Sequence, residues 1–207
     1  MIADILPTGV VAAESFGPPG DWKLLPGEAL AIATAGPGRR AEFAAGRVVA
    51  RAALASLGAP AGPVLPGRAG EPQWPGGVVG SITHCTGYRA CAVARARDLA
   101  AIGIDAEPCL ALPDGLLAEV AGAAERACLT GLGAARPGVP WDRVLFCAKE
   151  AVYKAWYSRT GQRPGLRSMT VQVAGAGTFA AAWPPARLTG RWLVRDGLIV
   201  TAVTVPH

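Results

Sequence analysis

The chain has 207 residues, of which 51% are hydrophobic and 17% charged, so it can bury one medium-sized core and does not have the composition of a disordered protein. Gly, Pro or Arg interrupts every apolar run before it reaches the length of a membrane span, and the N-terminus lacks the layout of a secretory signal. We therefore expect a cytoplasmic protein without a membrane partner. Five dispersed cysteines without a CxxC pair predict free thiols.

The formal net charge is +5, and the excess of cations is uneven along the chain. Residues 159–207 contain six Arg and one acidic residue, Asp196. A basic flank favours an acidic partner, and an acidic protein or a phosphorylated small molecule fits better than nucleic acid. The cations do not alternate with aromatic residues, and the sequence has no nucleic-acid-binding motif.

The N-terminal part divides into an irregular segment and a helix. Prolines scattered through residues 1–37 predict short strands and turns there rather than a helix. Residues 38–57 repeat apolar side chains at helical spacing, and Gly58 follows as a C-terminal stop. A basic stripe lies on another face of this helix; a solvated surface is its simpler interpretation, and an anion site is the alternative. The stripe consists of Arg40, Arg47 and Arg51.

A loop rich in Gly and Pro, over residues 58–77, separates this helix from three predicted strands. Residues 78–96 form two of these strands around a turn at Thr86-Gly87, and the third strand ends at Pro108. The next segment, 114–133, is predicted to be an Ala-rich helix.

The strongest helix prediction is Trp141–Tyr157, where apolar residues recur every three or four positions, and four short β runs follow it. Each half of the chain therefore has a helix followed by strands. This order predicts an α+β fold of two similar lobes, 1–106 and 107–207. The apolar face of the long helix contains Leu145, Ala148, Val152 and Trp156.

Asp105 and Glu107 are two residues apart on a predicted strand, so their carboxylates share one face. Hard oxygen ligands of this kind are what Mg²⁺ uses when it also holds substrate phosphates. The alternative is an exposed strand end with two solvated acids, and for this pair alone the alternative is favoured.

Glu150 and Lys154 are four residues apart on the long helix, with Lys149 beside them. An ordinary surface ion pair would explain this spacing. The chain, however, has 17 Arg and only three Lys, and two of those Lys flank Glu150. A compact ammonium that meets a phosphate as a point charge would explain Lys where Arg is the usual choice.

His84 is the only internal His and lies in the run GSITHCTGY. A structural role is the commoner explanation for a single His, and a phosphate contact becomes the better one only beside the two other motifs. Cys85 next to it does not make a nucleophile pair, because neighbours on a strand point to opposite faces.

Together, the segments GSITHCTGYRACAVA, GIDAEP and WDRVLFCAKEAVYKAW resemble the 4'-phosphopantetheinyl transferases, specifically the group of enterobactin synthase component D and the surfactin-synthetase-activating enzyme. The resemblance covers about residues 39–160. It implies a pseudo-twofold pair of α+β lobes with the active site at their junction, and a monomer. It also implies transfer of the 4'-phosphopantetheine arm of coenzyme A (CoA) to a Ser of an apo acyl or peptidyl carrier protein with an acidic surface, releasing 3',5'-ADP.

The resemblance further implies a metal site. Asp105, Glu107 and Glu150 would hold Mg²⁺, with Mn²⁺ as a possible replacement, on the CoA diphosphate. Glu150, directly or through a metal-bound water, would deprotonate the attacking Ser. Lys149 and Lys154 would stabilise the diphosphate and the leaving group.

The resemblance implies nucleotide contacts as well: Thr83 and His84 at the nucleotide end of CoA, and Arg39 and Arg47 at its 3'-phosphate. The sequence departs from the family at Pro66, where a basic residue is frequent, and Arg68 is the expected substitute. It departs also at Ala106, which offers a metal no side chain, and after Tyr157, where the aromatic character of some relatives is lost.

Two other functions remain compatible with these residues. One is a CoA- or nucleotide-binding module without catalysis, against which the complete set of Asp105, Glu107, Glu150 and Lys154 argues. The other is a Mg²⁺-dependent phosphodiesterase acting on CoA, which would hydrolyse CoA without a carrier protein.

Overall fold

The computed structural model describes residues 1–18, 20, 22–60, 62–183 and 186–207. Residues 19, 21 and 61, which belong to the predicted turns and loop, lie outside this description. The first part contains a 3-10 helix (Ile2–Ile5), β1 (Val11–Phe16), α1 (Pro26–Ala31), α2 (Pro37–Ser56), β2 (Val78–Cys85) and β3 (Tyr88–Arg95). The second contains β4 (Ala101–Pro108), α3 (Leu116–Val120), α4 (Ala123–Ala135), α5 (Trp141–Thr160), a 3-10 helix (Leu166–Ser168), β5 (Thr170–Ala174), β6 (Thr178–Trp183), β7 (Ala186–Arg195) and β8 (Leu198–Val205).

The strands form two antiparallel sheets, which confirms the α+β prediction. The smaller sheet has the order β1-β3-β2, and the larger has the order β4-β8-β7-β6-β5. Helix α2 packs on the small sheet and α5 on the large one, while a separate apolar cluster lies between the two sheets. The lobe boundary after residue 106 stays a prediction; it falls inside β4, whose full length pairs with β8.

Strand β4 presents its two faces to different cores, as period-2 alternation requires. Ile102, Ile104 and Ala106 pack between the sheets. Gly103 and Asp105 belong to the opposite face, towards α5, because a Cβ on Gly103 would lie only 1.9 Å from the carbonyl oxygen of Ala151. This close approach places the α5 side chains directly over the end of β4.

The two sheets are joined where β2 meets β4. Ser81 Oγ accepts a hydrogen bond from the backbone N–H of Ile104 at 3.1 Å, and Thr83 Oγ1 accepts one from Ala106 at 3.0 Å. Hydroxyl side chains of β2 therefore satisfy the backbone donors of β4, in place of a strand-to-strand ladder. Lys154 Nζ adds a bond to the Ile104 carbonyl at 3.1 Å.

Two secondary-structure predictions are wrong in detail. Helix α1 forms inside the segment predicted to lack helix, because Pro26 presets the first helical φ and Glu28 accepts from the backbone N–H of Leu25 at 2.9 Å. The helix predicted over 114–133 is split into α3 and α4, because Ala121 is extended between them.

The other elements agree with their predictions. The long helix α5 buries Leu145, Ala148 and Val152, and ends at Gly161 in the left-handed region. All five cysteines are free. Among the described residues, no helix is both long and apolar enough to cross a bilayer.

We predict that Gly103→Ala destabilises the protein by about 3 kcal/mol or more, because a Cβ cannot rotate away from the α5 backbone. Gly131→Ala is the matched control: Gly131 lies in α4 with open space around its Cα, so the same change is expected to stabilise by about 0.5–1 kcal/mol. Urea unfolding followed by circular dichroism measures both. Equal stability of the two variants would contradict the close β4–α5 contact.

Candidate active site at the junction of the sheets

Asp105 is the best-defined member of the site. Its Oδ1 accepts hydrogen bonds from Lys154 Nζ at 2.7 Å and from Thr83 Oγ1 at 3.1 Å. Its Oδ2 is buried, since the side chain is only 8% exposed, and among the described residues this oxygen has no hydrogen-bond partner. A buried carboxylate oxygen without a partner is costly, so this atom indicates a missing ligand.

The charge of Asp105 acts on two further carboxylates, Glu107 and Glu150. Burial and the negative charge of Asp105 raise the pKa of Glu107, although Arg143 opposes this shift from a distance of 2.8 Å. Burial, Asp105 and Glu107 likewise raise the pKa of Glu150, with Lys154 opposing. Like charges that disfavour one another's ionisation are relieved by a bound cation.

These residues fit a divalent cation by their chemistry. They are three hard oxygen donors, and the buried Asp105 Oδ2 lacks a partner. Among the described residues, no three His, Cys, Asp or Glu side chains are already arranged to hold a metal ion. Cations of the chain neutralise two of the carboxylates instead: Lys154 binds Asp105, and Arg143 binds Glu107.

Lys154 links the carboxylates to a neighbouring cleft. Burial alone would lower the pKa of Lys154, but the charge of Asp105 and the hydrogen bond to it raise that pKa, so the amine stays charged. The same side chain lines a cleft of about 320 Å³ between α2, the loop 69–74, β2 and α5. Arg39 and His84 also line this cleft. Glu42 and Glu71 line it as well, and Glu42 pairs with Arg39 at 3.6 Å, so the cleft carries both signs of charge with an excess of cations. Lys154 connects this cationic cleft to the carboxylate group.

Arg47 is buried in the wall of the cleft. Its Nε donates to the Val64 carbonyl at 2.6 Å, and its guanidinium lies 3.9 Å from the centre of the Phe43 ring. Burial lowers the pKa of Arg47 to about 10, although Glu28 opposes the shift, so the group remains cationic at neutral pH. Within the described parts of the chain, its buried Nη2 has no hydrogen-bond partner. This donor indicates an anionic ligand.

Of the basic stripe on α2, for which a solvated surface and an anion site were both open, Arg40 is exposed, whereas Arg47 and Arg51 bind partners within the protein. Arg47 is 5% exposed, and Arg51 Nη1 donates at 2.5 Å to Glu28, which is itself completely buried. Arg40 donates to the Ala33 carbonyl at 3.1 Å. The link from Glu28 to the stripe could not be recognised from the sequence, because Arg51 is 23 residues away in the chain.

The structure does not bring Lys149 to the cleft. Lys149 precedes Glu150 by one residue and thus lies about 100° around the helix, where it is completely buried. Its Nζ contacts Glu125 Oε1 at 2.9 Å and three backbone carbonyls at 2.6–3.0 Å. We correct its assignment from phosphate contact to internal ion pair. The three carbonyls belong to Val120, Leu166 and Met169.

Thr83 and Arg68 also differ from the expectation. Thr83 is 2% exposed and uses its hydroxyl on Asp105 and Ala106, so its place supports orientation of Asp105 rather than a nucleotide contact. Arg68 is exposed and does not line the cleft, although residues 69–72 of the same loop do.

Arg143 is the main site residue that the sequence analysis missed. A signal for it exists, because positions 143, 150 and 154 are spaced by seven and four and so share one helix face. Its partner Glu107 is 36 residues away, which no local pattern reveals.

We predict that Lys149→Met lowers the free energy of unfolding by about 3–5 kcal/mol, because Glu125 keeps a buried charge without its cation. The folded fraction is expected to bind CoA as wild type does. Urea unfolding and calorimetric CoA titration measure the two effects. The double variant with Glu125→Gln should recover part of the stability, and weaker CoA binding at unchanged stability would restore Lys149 as a ligand.

Comparisons with known proteins agree with this geometry. The family model described as the 4'-phosphopantetheinyl transferase N-terminal domain matches residues 27–94, and that of the 4'-phosphopantetheinyl transferase superfamily matches 101–203. The chain is 50% identical to the 4'-phosphopantetheinyl transferase Svp of Streptomyces mobaraensis, over 99% of this chain and 89% of that protein. It is 40% identical to the 4'-phosphopantetheinyl transferase PptT of Mycobacterium tuberculosis, over 99% and 98% respectively. With enterobactin synthase component D of Salmonella typhimurium it shares 32% identity, over 85% and 78%. The chain therefore belongs to the 4'-phosphopantetheinyl transferase superfamily.

Proposed function

We propose that this protein transfers the 4'-phosphopantetheine arm of CoA to a Ser of an apo acyl or peptidyl carrier protein and releases 3',5'-ADP. The observation that carries this proposal is the position of Lys154, which lines the cationic cleft and contacts Asp105 in the carboxylate group. CoA carries phosphates at two distant points. The cations of the cleft would bind one of them, and a divalent cation held by the carboxylates at the end of the cleft would bind the other.

The cleft supports binding of the nucleotide end of CoA. Arg47 has a buried donor without a partner, and Arg39 and His84 line the same cleft. We assign the 3'-phosphate to Arg39 and Arg47, because guanidinium groups bind phosphate through parallel donors. Lys154 would meet the diphosphate as a compact point charge.

The carboxylates support a divalent cation, Mg²⁺ or Mn²⁺, held by Asp105, Glu107 and Glu150. When bound, such an ion supplies charge neutralisation on the diphosphate as the leaving group departs. The chain's own residues orient these ligands: Thr83 and Lys154 hold Asp105 through Oδ1, and Oδ2 is left without a partner.

We assign to Glu150 the role of accepting the proton of the attacking Ser. Its pKa is raised by burial and by the charges of Asp105 and Glu107, which makes its carboxylate a stronger base. The Ser Oγ forms a bond to the phosphorus that carries the pantetheine arm. The bond from that phosphorus to the bridging oxygen breaks, and 3',5'-ADP leaves while Lys154 balances its charge.

The proposal includes a monomer in the cytoplasm and a carrier protein with an acidic surface. Strand β7 supports the acidic partner, because three exposed Arg recur at intervals of four residues and so share one face of the sheet, although the last of them already pairs with Asp4 at 2.6 Å. Opposite charges of this kind steer association. These residues are Arg187, Arg191 and Arg195.

We predict that incubation with CoA, Mg²⁺ and an apo carrier protein adds about 340 Da to the carrier, the mass of the phosphopantetheine arm. The Asp105→Ala variant should lose this activity by about 100-fold or more while keeping a native circular dichroism spectrum. Asp98→Ala, at an exposed carboxylate in the turn between β3 and β4 that does not line the cleft, is the matched control and should keep full activity.

Intact-mass spectrometry measures the gain, with EDTA and a carrier lacking its Ser as controls. Release of 3',5'-ADP without a carrier would favour the phosphodiesterase instead. CoA binding without any transfer to several carriers would favour the non-catalytic module.

We predict that raising the salt concentration increases the KM for the carrier protein more than the KM for CoA, because screening weakens long-range steering between protein surfaces. Steady-state kinetics at several ionic strengths measure both constants. An equal increase of the two constants would contradict electrostatic steering of the carrier.

A further inference from the structure

Arg143 lies in the first turn of α5 and binds three acceptors in different directions. Its Nη1 donates to Glu107 Oε2 at 2.8 Å, its Nε to the Leu110 carbonyl at 3.0 Å, and its Nη2 to the Ala111 carbonyl at 2.8 Å. All three guanidinium nitrogens are therefore engaged, and the side chain is 15% exposed. A group held at three points has little rotational freedom left.

Arg143 holds Glu107 through one carboxylate oxygen only. Within the part of the chain that the structure describes, Oε2 accepts the hydrogen bond from Arg143, and Oε1 accepts none. Asp105 has the same arrangement, with Oδ1 bound by two donors and Oδ2 left over. Each carboxylate is thus held by the protein through one oxygen, and its other oxygen is available to a ligand.

The two carbonyls bound by Arg143 belong to the loop 109–112, which follows β4. Leu110 in this loop is 67% exposed, so the loop faces solvent. A second cleft, of about 770 Å³, is lined by Pro108, Glu107 and Arg143 and lies on the other side of His84 from the cationic cleft. Arg143 therefore contacts both the loop and Glu107, and it lines the second cleft.

We propose that Arg143 is a positioning residue: it fixes Glu107 for the divalent cation and couples the orientation of Glu107 to the loop 109–112. This inference rests on the proposed function. Glu107 presented in one orientation loses less conformational freedom when it binds a cation. The loop in turn cannot move without releasing Arg143, and hence Glu107.

Lys cannot replace Arg143 in this role. The three acceptors are reached by three nitrogens of one planar group, whereas an ammonium concentrates its donors on a single atom. Both Arg143→Lys and Arg143→Gln should therefore release Glu107, although only the second removes the charge. The pair of variants separates geometry from charge.

Asp142, next to Arg143 in α5, provides a comparison variant that acts on the same loop. Its Oδ2 accepts from the backbone N–H of Leu112 and its Oδ1 from the backbone N–H of Arg143, both at 2.8 Å, and among the described residues it has no hydrogen bond to Glu107. Asp142→Ala loosens one end of the loop and leaves the contact between Arg143 and Glu107 in place.

The test measures Mn²⁺ binding to the full-length protein saturated with CoA, by electron paramagnetic resonance of free Mn²⁺. We expect Arg143→Gln and Arg143→Lys to weaken Mn²⁺ binding by about 10–100-fold, with unchanged affinity for CoA alone. Asp142→Ala loosens the loop but keeps the guanidinium on Glu107, so it should weaken Mn²⁺ binding less than either Arg143 variant does. Because this readout requires no carrier and no turnover, it remains decisive if the transfer reaction itself is disproved.

Backbone amide exchange of residues 109–112 tests the coupling. Mn²⁺ with CoA should slow this exchange in the wild type and not in Arg143→Gln. Tighter Mn²⁺ binding by Arg143→Gln would overturn the proposal, since it would show that the guanidinium competes with the cation for Glu107. Lower stability of both Arg143 variants with unchanged Mn²⁺ affinity would also overturn it, by assigning Arg143 a purely structural role.

Discussion

The contact between β2 and β4 is the constraint on which the site depends. Two strands from different sheets approach one another without a backbone ladder, and the hydroxyls of Ser81 and Thr83 accept the N–H groups that β4 would otherwise leave unpaired. A buried backbone donor without a partner is costly, so these hydroxyls fix the position of one sheet against the other. The Thr83 hydroxyl also donates to Asp105, so the joint between the sheets orients a site carboxylate as well.

Helix α5 completes the site from the other face of β4. Gly103 admits the helix backbone, and the side chains one or two turns away then lie over Asp105 and Glu107. The face of β4 that packs against α5 carries both the glycine and the carboxylates. The contact that builds the core therefore also positions the functional groups. Burial and the like charges gathered in this way raise the pKa values of Glu107 and Glu150. Lys154 pairs with Asp105, and Arg143 pairs with Glu107.

Local patterns in the sequence predict most of this arrangement. Alternation on β4 placed Asp105 and Glu107 on one face, and the apolar period of α5 identified the buried side of that helix. Patterns of this kind cannot reveal partners that are distant in the chain, such as Glu28 for Arg51 or Arg143 for Glu107. The phosphate contact that the resemblance assigned to Lys149 was wrong for a related reason. Lys149 is one residue away from Glu150 on the helix, so its ammonium points into the core and contacts Glu125.

One CoA molecule is proposed to span the cationic cleft and the carboxylate group. Phosphorus NMR of CoA bound to the protein, with Mn²⁺ added in small amounts, tests this arrangement. We expect the two diphosphate signals to broaden strongly, because they lie beside Asp105, Glu107 and Glu150, and the signal of the 3'-phosphate near Arg47 to broaden less. Equal broadening of all three signals, or broadening of the 3'-phosphate alone, would contradict it.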